Sequence, residues 1–166
     1  MKKIIRVRLD PQSIANAINE LNAYKADLER RIALLVDTLT SRGAEIARMK
    51  VIELGAYRTG ELLNSIDSFL FSFGAAPVGF IRVNADYGIF VEFGTGIVGQ
   101  NAKHHPAESA FAWSYDVNAH GELGWLYPTD DGSYRRTRGQ ASRPFLYETA
   151  LQLRNEFPSI VKGVFG

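Results

Sequence analysis

The 166-residue chain has no cysteine. That excludes disulfides, thiolate nucleophiles and sulfur-ligated metals together, and it is compatible with a reducing compartment. An excess of charge is missing too. Nineteen Lys and Arg stand against eighteen Asp and Glu, for a formal net charge of +1. No whole-molecule field therefore draws the chain to nucleic acid or to an anionic membrane, although a local basic patch is compatible with this balance. Long apolar runs are also absent. In the opening "MKKIIRVRLD", Arg6 and Arg8 interrupt the run that follows the two lysines, whereas a secretory signal needs roughly 7–15 apolar residues there. No stretch approaches the roughly 20 apolar residues of a membrane span. The expectation is a soluble protein that is not secreted by this route.

What is present is ordinary for a globular protein: 46% hydrophobic and 22% charged residues. The length fits a single domain with one core, residues 1–166, carrying a long loop insertion at about 97–123. No internal repeat or low-complexity tract interrupts it.

Ile5, Val7 and Leu9 alternate with Arg6 and Arg8, which predicts a short strand. Asp10-Pro11 predicts a helix start, because Asp caps and Pro fits the first helical position. Ile14, Ile18, Leu21, Leu28, Ile32, Leu35 and Leu39 then recur at alternating steps of four and three. Only Lys25 misses the seam. This predicts a long amphipathic helix running on toward Leu54, weakened locally at Gly43 by about 1 kcal/mol. Its stripe packs either on the chain's own sheet or, in part, on another subunit. In "YRTGELLNSI", Thr59 is a capping candidate, Gly60 permits a tight approach, and Leu62, Leu63 and Ile66 are apolar anchors. Strands are predicted over 68–73 and 78–84, around "GAAPVG".

Residues 87–93 form a third apolar, strand-like block. Residues 97–124 read as a long loop with a short helix near 107–115. "GWLYPT" and "SYRRT" flank Asp130-Asp131-Gly132, a hairpin signal. From Ser142 onward a C-terminal helix is predicted, with Phe145, Leu146, Ala150, Leu153 and Phe157 on its apolar side. Pro158 is expected to kink or end it.

"VEFGTGIVGQ" (91–100) holds Gly94-x-Gly96-x-x-Gly99, the spacing of a dinucleotide fingerprint. That chemistry needs a buried strand before the motif, a helix opening at its third glycine and an acidic residue about 20 positions on. Asp116 sits at such a distance. Against it, "QNAKHHPAES" has no apolar helical period, too little chain follows for repeated parallel units, and Glu92 would repel phosphate. The simpler reading is a sharp turn, with Gly94 and Gly96 supplying positive φ and Thr95 bonding to nearby backbone.

His104, His105 and His120 lack the i, i+3 or i, i+4 spacing that turns two imidazoles toward one ion, so they read as solvated loop histidines. No nucleophile elbow or phosphate loop is present, and no pair of carboxylates marks a cleft. The residues carry no positive sign of catalysis. Arg135, Arg136, Arg138 and Arg143 cluster with Tyr134. They suit a nucleic-acid backbone, carboxylates of a neighbouring subunit or plain solvation.

Four blocks taken together, "RTGELLNSI" (58–66), "YGIFVEFGTG" (87–96), "GWLYPT" (124–129) and "GQASRPFLYETA" (139–150), resemble the tail-completion, or neck, proteins of long-tailed bacteriophages. These are minor virion proteins of the head–tail junction. Order and rough spacing agree across residues 10–155. Where that family often has Ala-Pro ahead of Thr-Gly, this chain has "GAYR", and its insertion at 97–123 is long. The resemblance implies an α+β fold, with a small, mainly antiparallel sheet packed against a long N-terminal helix and a C-terminal helix. It implies a structural protein without catalytic residues, cofactor or metal, made in the host bacterial cytoplasm and built into the virion. It further implies a homo-oligomeric ring, for which a hexamer is one candidate size. The ring's partners would be other neck and tail proteins and DNA passing through it, with no membrane involved.

The motif positions that carry over are Thr59, Gly60, Leu62, Ser65, Glu92, Phe93, Gly94, Thr95, Gly96, Pro144 and Phe145. On this reading Phe93 packs inward. Glu92 meets a basic group, an arginine of the 135–143 cluster on its own or a neighbouring chain, so that Glu92, Arg135, Arg136, Arg138 and Arg143 form a subunit or partner interface. The alternative is a small nucleic-acid-binding module that uses the arginine-rich hairpin 134–143.

Overall fold

The computed structural model describes residues 4, 6–73, 76–117, 121–129 and 131–166. Helix α1 (Pro11–Glu53) begins as the Asp10-Pro11 pair requires: the Asp10 carboxylate accepts from Ser13 N at 2.8 Å, and Pro11 fills the first helical position. At about 1.5 Å per residue the helix is roughly 65 Å long. It is followed by α2 (Glu61–Asn64), the antiparallel pair β1 (Ile66–Phe73) and β2 (Ala76–Val83), and the short helices α3 (Gly88–Phe93), α4 (Gly96–Asn101) and α5 (Glu108–Phe111). A second antiparallel pair, β3 (Trp125–Pro128) and β4 (Tyr134–Thr137), precedes α6 (Phe145–Phe165). The fold is α+β: two long terminal helices packed together with small two-stranded antiparallel sheets.

The β1–β2 hairpin pairs Ile66 with Val83 and Phe71 with Val78. Its inner face lies on the second half of α1, where small residues set the distance. A Cβ on Gly43 would come within 2.6 Å of Ile81 Cδ1, and one on Gly79 within 1.8 Å of Thr40 Oγ1. Gly43 therefore costs helix propensity but lets the hairpin sit close. Helix α6 runs antiparallel to α1. Arg42 grips Glu156 through Nε and Nη2 at 2.8 and 3.0 Å, and Arg31 Nη1 donates to the Val164 carbonyl at 3.3 Å. The core collects where these elements converge, on Ala44, Ala47, Val51, Leu62, Ile66, Ala85, Val91 and Phe145.

Four expectations change. Residues 6–9 take no strand, and Ile4, Val7 and Leu9 are exposed; Ile5 lies outside the described residues. An alternating pattern forms a strand only against a second strand, and none lies beside it among the described residues. The apolar block 87–93 is helix rather than strand-like, because a short apolar run does not distinguish the two. The expected loop from 97 opens with most of α4, while α5 falls within the short helix expected near 107–115. Of the two outcomes expected at Pro158, ending the helix does not occur: α6 continues through it to Phe165, with one backbone donor lost. On its expected apolar side, Phe145 is fully buried and Leu146 and Leu153 are half-buried, while Ala150 and Phe157 are exposed.

Candidate functional site

The glycine motif and the segment 138–143 lie against each other. Thr95 N donates to Gln140 O at 2.9 Å, and Gln140 N donates back to Thr95 O at 3.1 Å. Arg143 N reaches Val91 O at 2.8 Å, and Val98 N reaches Arg138 O at 3.1 Å. Two blocks of the resemblance, some fifty residues apart, thus form one backbone zipper. The contact is close enough to require glycine. Gly94 (φ +84°, ψ 167°) and Gly96 (φ +61°) both have positive φ, and a Cβ on Gly96 would sit 2.5 Å from Arg138 O. The expected turn is there, and Phe93 packs inward, stacked on Trp113 and edge-on to Phe111. The setting of a dinucleotide fingerprint is not: helix α3 precedes the motif, α4 opens at the second glycine, and neither sheet is parallel.

Glu92 is 4% exposed, and its partner is no arginine of its own chain among the described residues. Its Oε2 accepts from Leu146 N at 2.8 Å, and its Oε1 accepts from Tyr147 N at 2.9 Å and from His105 Nε2 at 3.0 Å. The residue in the cap position of α6, Pro144, makes no capping side-chain bond. Glu92 supplies the cap instead, satisfying two first-turn donors and placing negative charge at the positive end of the helix dipole. Ser142 Oγ donates to the Glu92 carbonyl at 2.6 Å.

His105 is buried, which corrects the solvated-loop expectation. Its Nδ1 accepts from Ala107 N at 3.0 Å, so the ring proton lies on Nε2 and is donated to Glu92. His104 is the exposed one. Its basicity is raised by the Gln100 carbonyl first and by Glu108 second. His120 lies outside the described residues. Among the described residues no three His, Cys, Asp or Glu are grouped to hold a metal ion.

The Thr-Gly block turns α1 into the first hairpin. Gly60 has φ +88° and Leu62 is in the core. Thr59 caps only weakly, through Glu61 N at 3.4 Å. The Ser65 carbonyl accepts from Asn84 N at 2.9 Å, while its hydroxyl donates to Leu62 O. Between this block and β3 lies a cleft of about 470 Å³, lined by Tyr57, Thr59, Tyr87, Trp125 and Tyr127 among others. Burial, and then the Glu61 carboxylate, push the Tyr87 hydroxyl above its ordinary pKa.

The arginines do not converge. Arg135 and Arg136 are neighbours in β4, opposite Tyr127 and Leu126, so they point to opposite faces. Arg136 Nη1 donates to Leu123 O and Arg138 Nε to Glu122 O, both across the turn, and Arg143 Nη1 donates to Gln140 Oε1. The expected grouping of Glu92 with Arg135, Arg136, Arg138 and Arg143 is therefore dispersed within the chain.

A larger feature, which sequence reasoning missed, is a groove of about 720 Å³ lined by Phe80, Val83, Ile89, Phe93, Phe111 and Leu146, with Glu92 and His105 also in its wall. It adjoins the outer face of the first hairpin. There Phe80 stacks on Phe69 and Phe71, with Phe71 48% and Phe80 43% exposed. The signal for it was present in the alternation Phe69, Phe71 and Val78, Phe80, which makes both faces of one hairpin apolar. No buried side-chain polar atom of the described residues lacks a hydrogen-bond partner. Compared with protein-family models, curated proteins and solved structures, the chain matches none.

Proposed function

We propose that the protein is a structural virion subunit of a tailed phage or prophage, of the tail-completion or neck type, forming a ring at the head–tail junction. The observation that carries this reading is apolar surface left uncovered in two separate places. One is the outer face of the first hairpin with its adjoining groove. The other is the first half of α1, where Ile18 and Leu21 are 52% and 55% exposed. Contiguous apolar patches of this kind mark protein contacts. Two distinct patches on one chain build assemblies larger than a simple dimer, and a head-to-tail contact that closes by rotation makes a ring. The polar groups support the same reading, because Glu92 and His105 are occupied in holding α6 in place.

The test is the double variant Phe71→Ser/Phe80→Ser. Both side chains are already half-exposed in the single chain, so the monomer keeps its fold. Ring assembly, read by native mass, is lost. A double variant that assembles as the parent does would remove the hairpin face from the interface and, with it, the main support for the reading.

A further inference from the structure

The strand-like alternation ahead of α1 has no strand to pair with in its own chain. Ile4, Val7 and Leu9 are exposed, and Arg6, Val7 and Arg8 take neither helix nor strand. The first hairpin, in turn, has an open edge. Asn84 N donates to Ser65 O at 2.9 Å, and antiparallel bonding alternates along a strand. Asp67, Phe69 and Phe71 therefore bond to β2, while the N–H and C=O groups of Ser68, Leu70 and Ser72 point away from it. The Ile66 carbonyl, on the same edge, accepts from Arg48 Nη2. Among the described residues nothing bonds the backbone of Ser68, Leu70 or Ser72 there, and all three residues are exposed. The opposite edge, on β2, is broken by Pro77, which has no donor. An open edge is a template for a further strand, and a two-stranded hairpin is stabilised by a third.

The backbone bonds select one register. Arg8 N donates to Ser13 Oγ at 2.8 Å, so Arg8 turns its backbone away from a new partner and Val7 faces it. A parallel alignment would then carry Arg6 and Arg8 onto the inner face of the hairpin. In an antiparallel one, Val7 falls opposite an edge-facing residue of β1. Ile66 is taken by Arg48. Leu70 would set Asp10 against Asp67, and Ser72 would leave Asp67 with no cation beside it. Ser68 sets Arg8 against Asp67, Arg6 over the Phe69 ring and Ile4 against Phe71, all on the outer face. Opposite charges and a cation over an aromatic ring both favour that pairing.

The chain's own arm cannot reach this edge. Thr40 of α1 lies under Gly79, the partner of Leu70, and Pro11 stands about 44 Å from Thr40 along the helix at about 1.5 Å per residue. Residues 6–9 span roughly 13 Å when extended. We infer that the segment around Val7 adds as an antiparallel strand to the free β1 edge of a second copy, with Val7 opposite Ser68. Val7 N–H then donates to the Ser68 carbonyl, and Ser68 N–H to the Val7 carbonyl. The inference names the segment that one subunit contributes to the next, and to that extent rests on the head-to-tail reading.

The absence of cysteine makes the test clean. The full chain is made as Val7→Cys, as Ser68→Cys, as the double variant Val7→Cys/Ser68→Cys and as the control Val7→Cys/Leu123→Cys, and each is oxidised. All three sites are exposed, so the fold is kept. The inference expects a ladder of covalently joined chains from Val7→Cys/Ser68→Cys and none from the single variants or the control. It is overturned if that double variant joins no more than the single variants do, or if the control joins as readily. A second readout is Val7→Pro, which removes the donor aimed at Ser68. Assembly is expected to be lost at concentrations where the parent forms it, with helix content kept; an unchanged native mass overturns the inference. Closed rings whose cysteines at 7 and 68 do not join would contradict the arm pairing alone. Joined chains without closed rings would contradict the ring reading alone.

Discussion

The carboxylate of Glu92 accepts the backbone N–H of Leu146 at 2.8 Å, joining residues 54 positions apart in the chain. Its other oxygen accepts from Tyr147 N and His105 Nε2. One side chain therefore starts α6, anchors His105 and fixes the end of α3 against the segment before α6. Hydrogen bonds to a charged group are worth about 1.5–3 kcal/mol each, and the cost rises when the partners left behind are buried. Glu92→Gln keeps the shape but turns a donor toward donors, so a loss of about 2–3 kcal/mol is expected in denaturant unfolding, and a larger one for Glu92→Ala. An unchanged midpoint for both variants would contradict the capping role.

The turn at Gly96 is the next point of strain. A β-branched side chain at φ +61° is disfavoured in itself, and its Cβ would lie 2.5 Å from the Arg138 carbonyl oxygen. Gly96→Val is expected to destabilise the protein by at least about 3 kcal/mol, combining backbone strain with overpacking. Soluble expression and thermal melting report this, and a variant that melts with the parent would show that the zipper does not need glycine there.

Close packing limits side-chain size again where α1 meets the hairpin. A Cβ on Gly79 falls on the Thr40 hydroxyl, which itself donates to Val36 O at 2.7 Å. Gly79→Ala should cost about 1–3 kcal/mol by overpacking, and Thr40→Ala in the same chain should recover part of it. Strictly additive losses in the double-mutant cycle would mean that the two sites do not touch.

The Arg42–Glu156 pair clamps α1 to α6 and gives a dependence on pH. Hydrogen bonding from Arg42, and then from Gln152, lowers the Glu156 carboxyl from its ordinary 4.5 to about 2. A carboxylate depressed in the folded state adds stability above its unfolded value, and loses it as pH falls through the folded value. The stability difference between the parent and Glu156→Gln should therefore be constant at neutral pH and shrink between about pH 4.5 and 2. Urea melts across that range measure it; a difference independent of pH would contradict the clamp.

Much of this architecture is legible in the residues, and the exceptions have physical causes. The long helix follows from the Asp10-Pro11 start and the heptad row; the first hairpin, β3–β4 and α6 follow from local patterning and turn chemistry. Those signals are carried by neighbours in sequence. The Glu92 cap is not, because no rule of local spacing connects a carboxylate to a helix start 54 residues later, and the local cap position is filled by a proline. His105 is likewise buried by contacts from α3 and α6 that its own surroundings do not announce. The alternation at Ile5, Val7 and Leu9 and the strand-like look of 87–93 show the converse: a pattern states which faces are apolar, while pairing partners and length decide what forms.

The central claim is ring assembly, and the most direct measurement is the native mass of the purified chain over a wide concentration range, with the same particles imaged. The account predicts closed rings of a single size. A chain that stays monomeric at every concentration, or that grows into open particles of unlimited length, would contradict it.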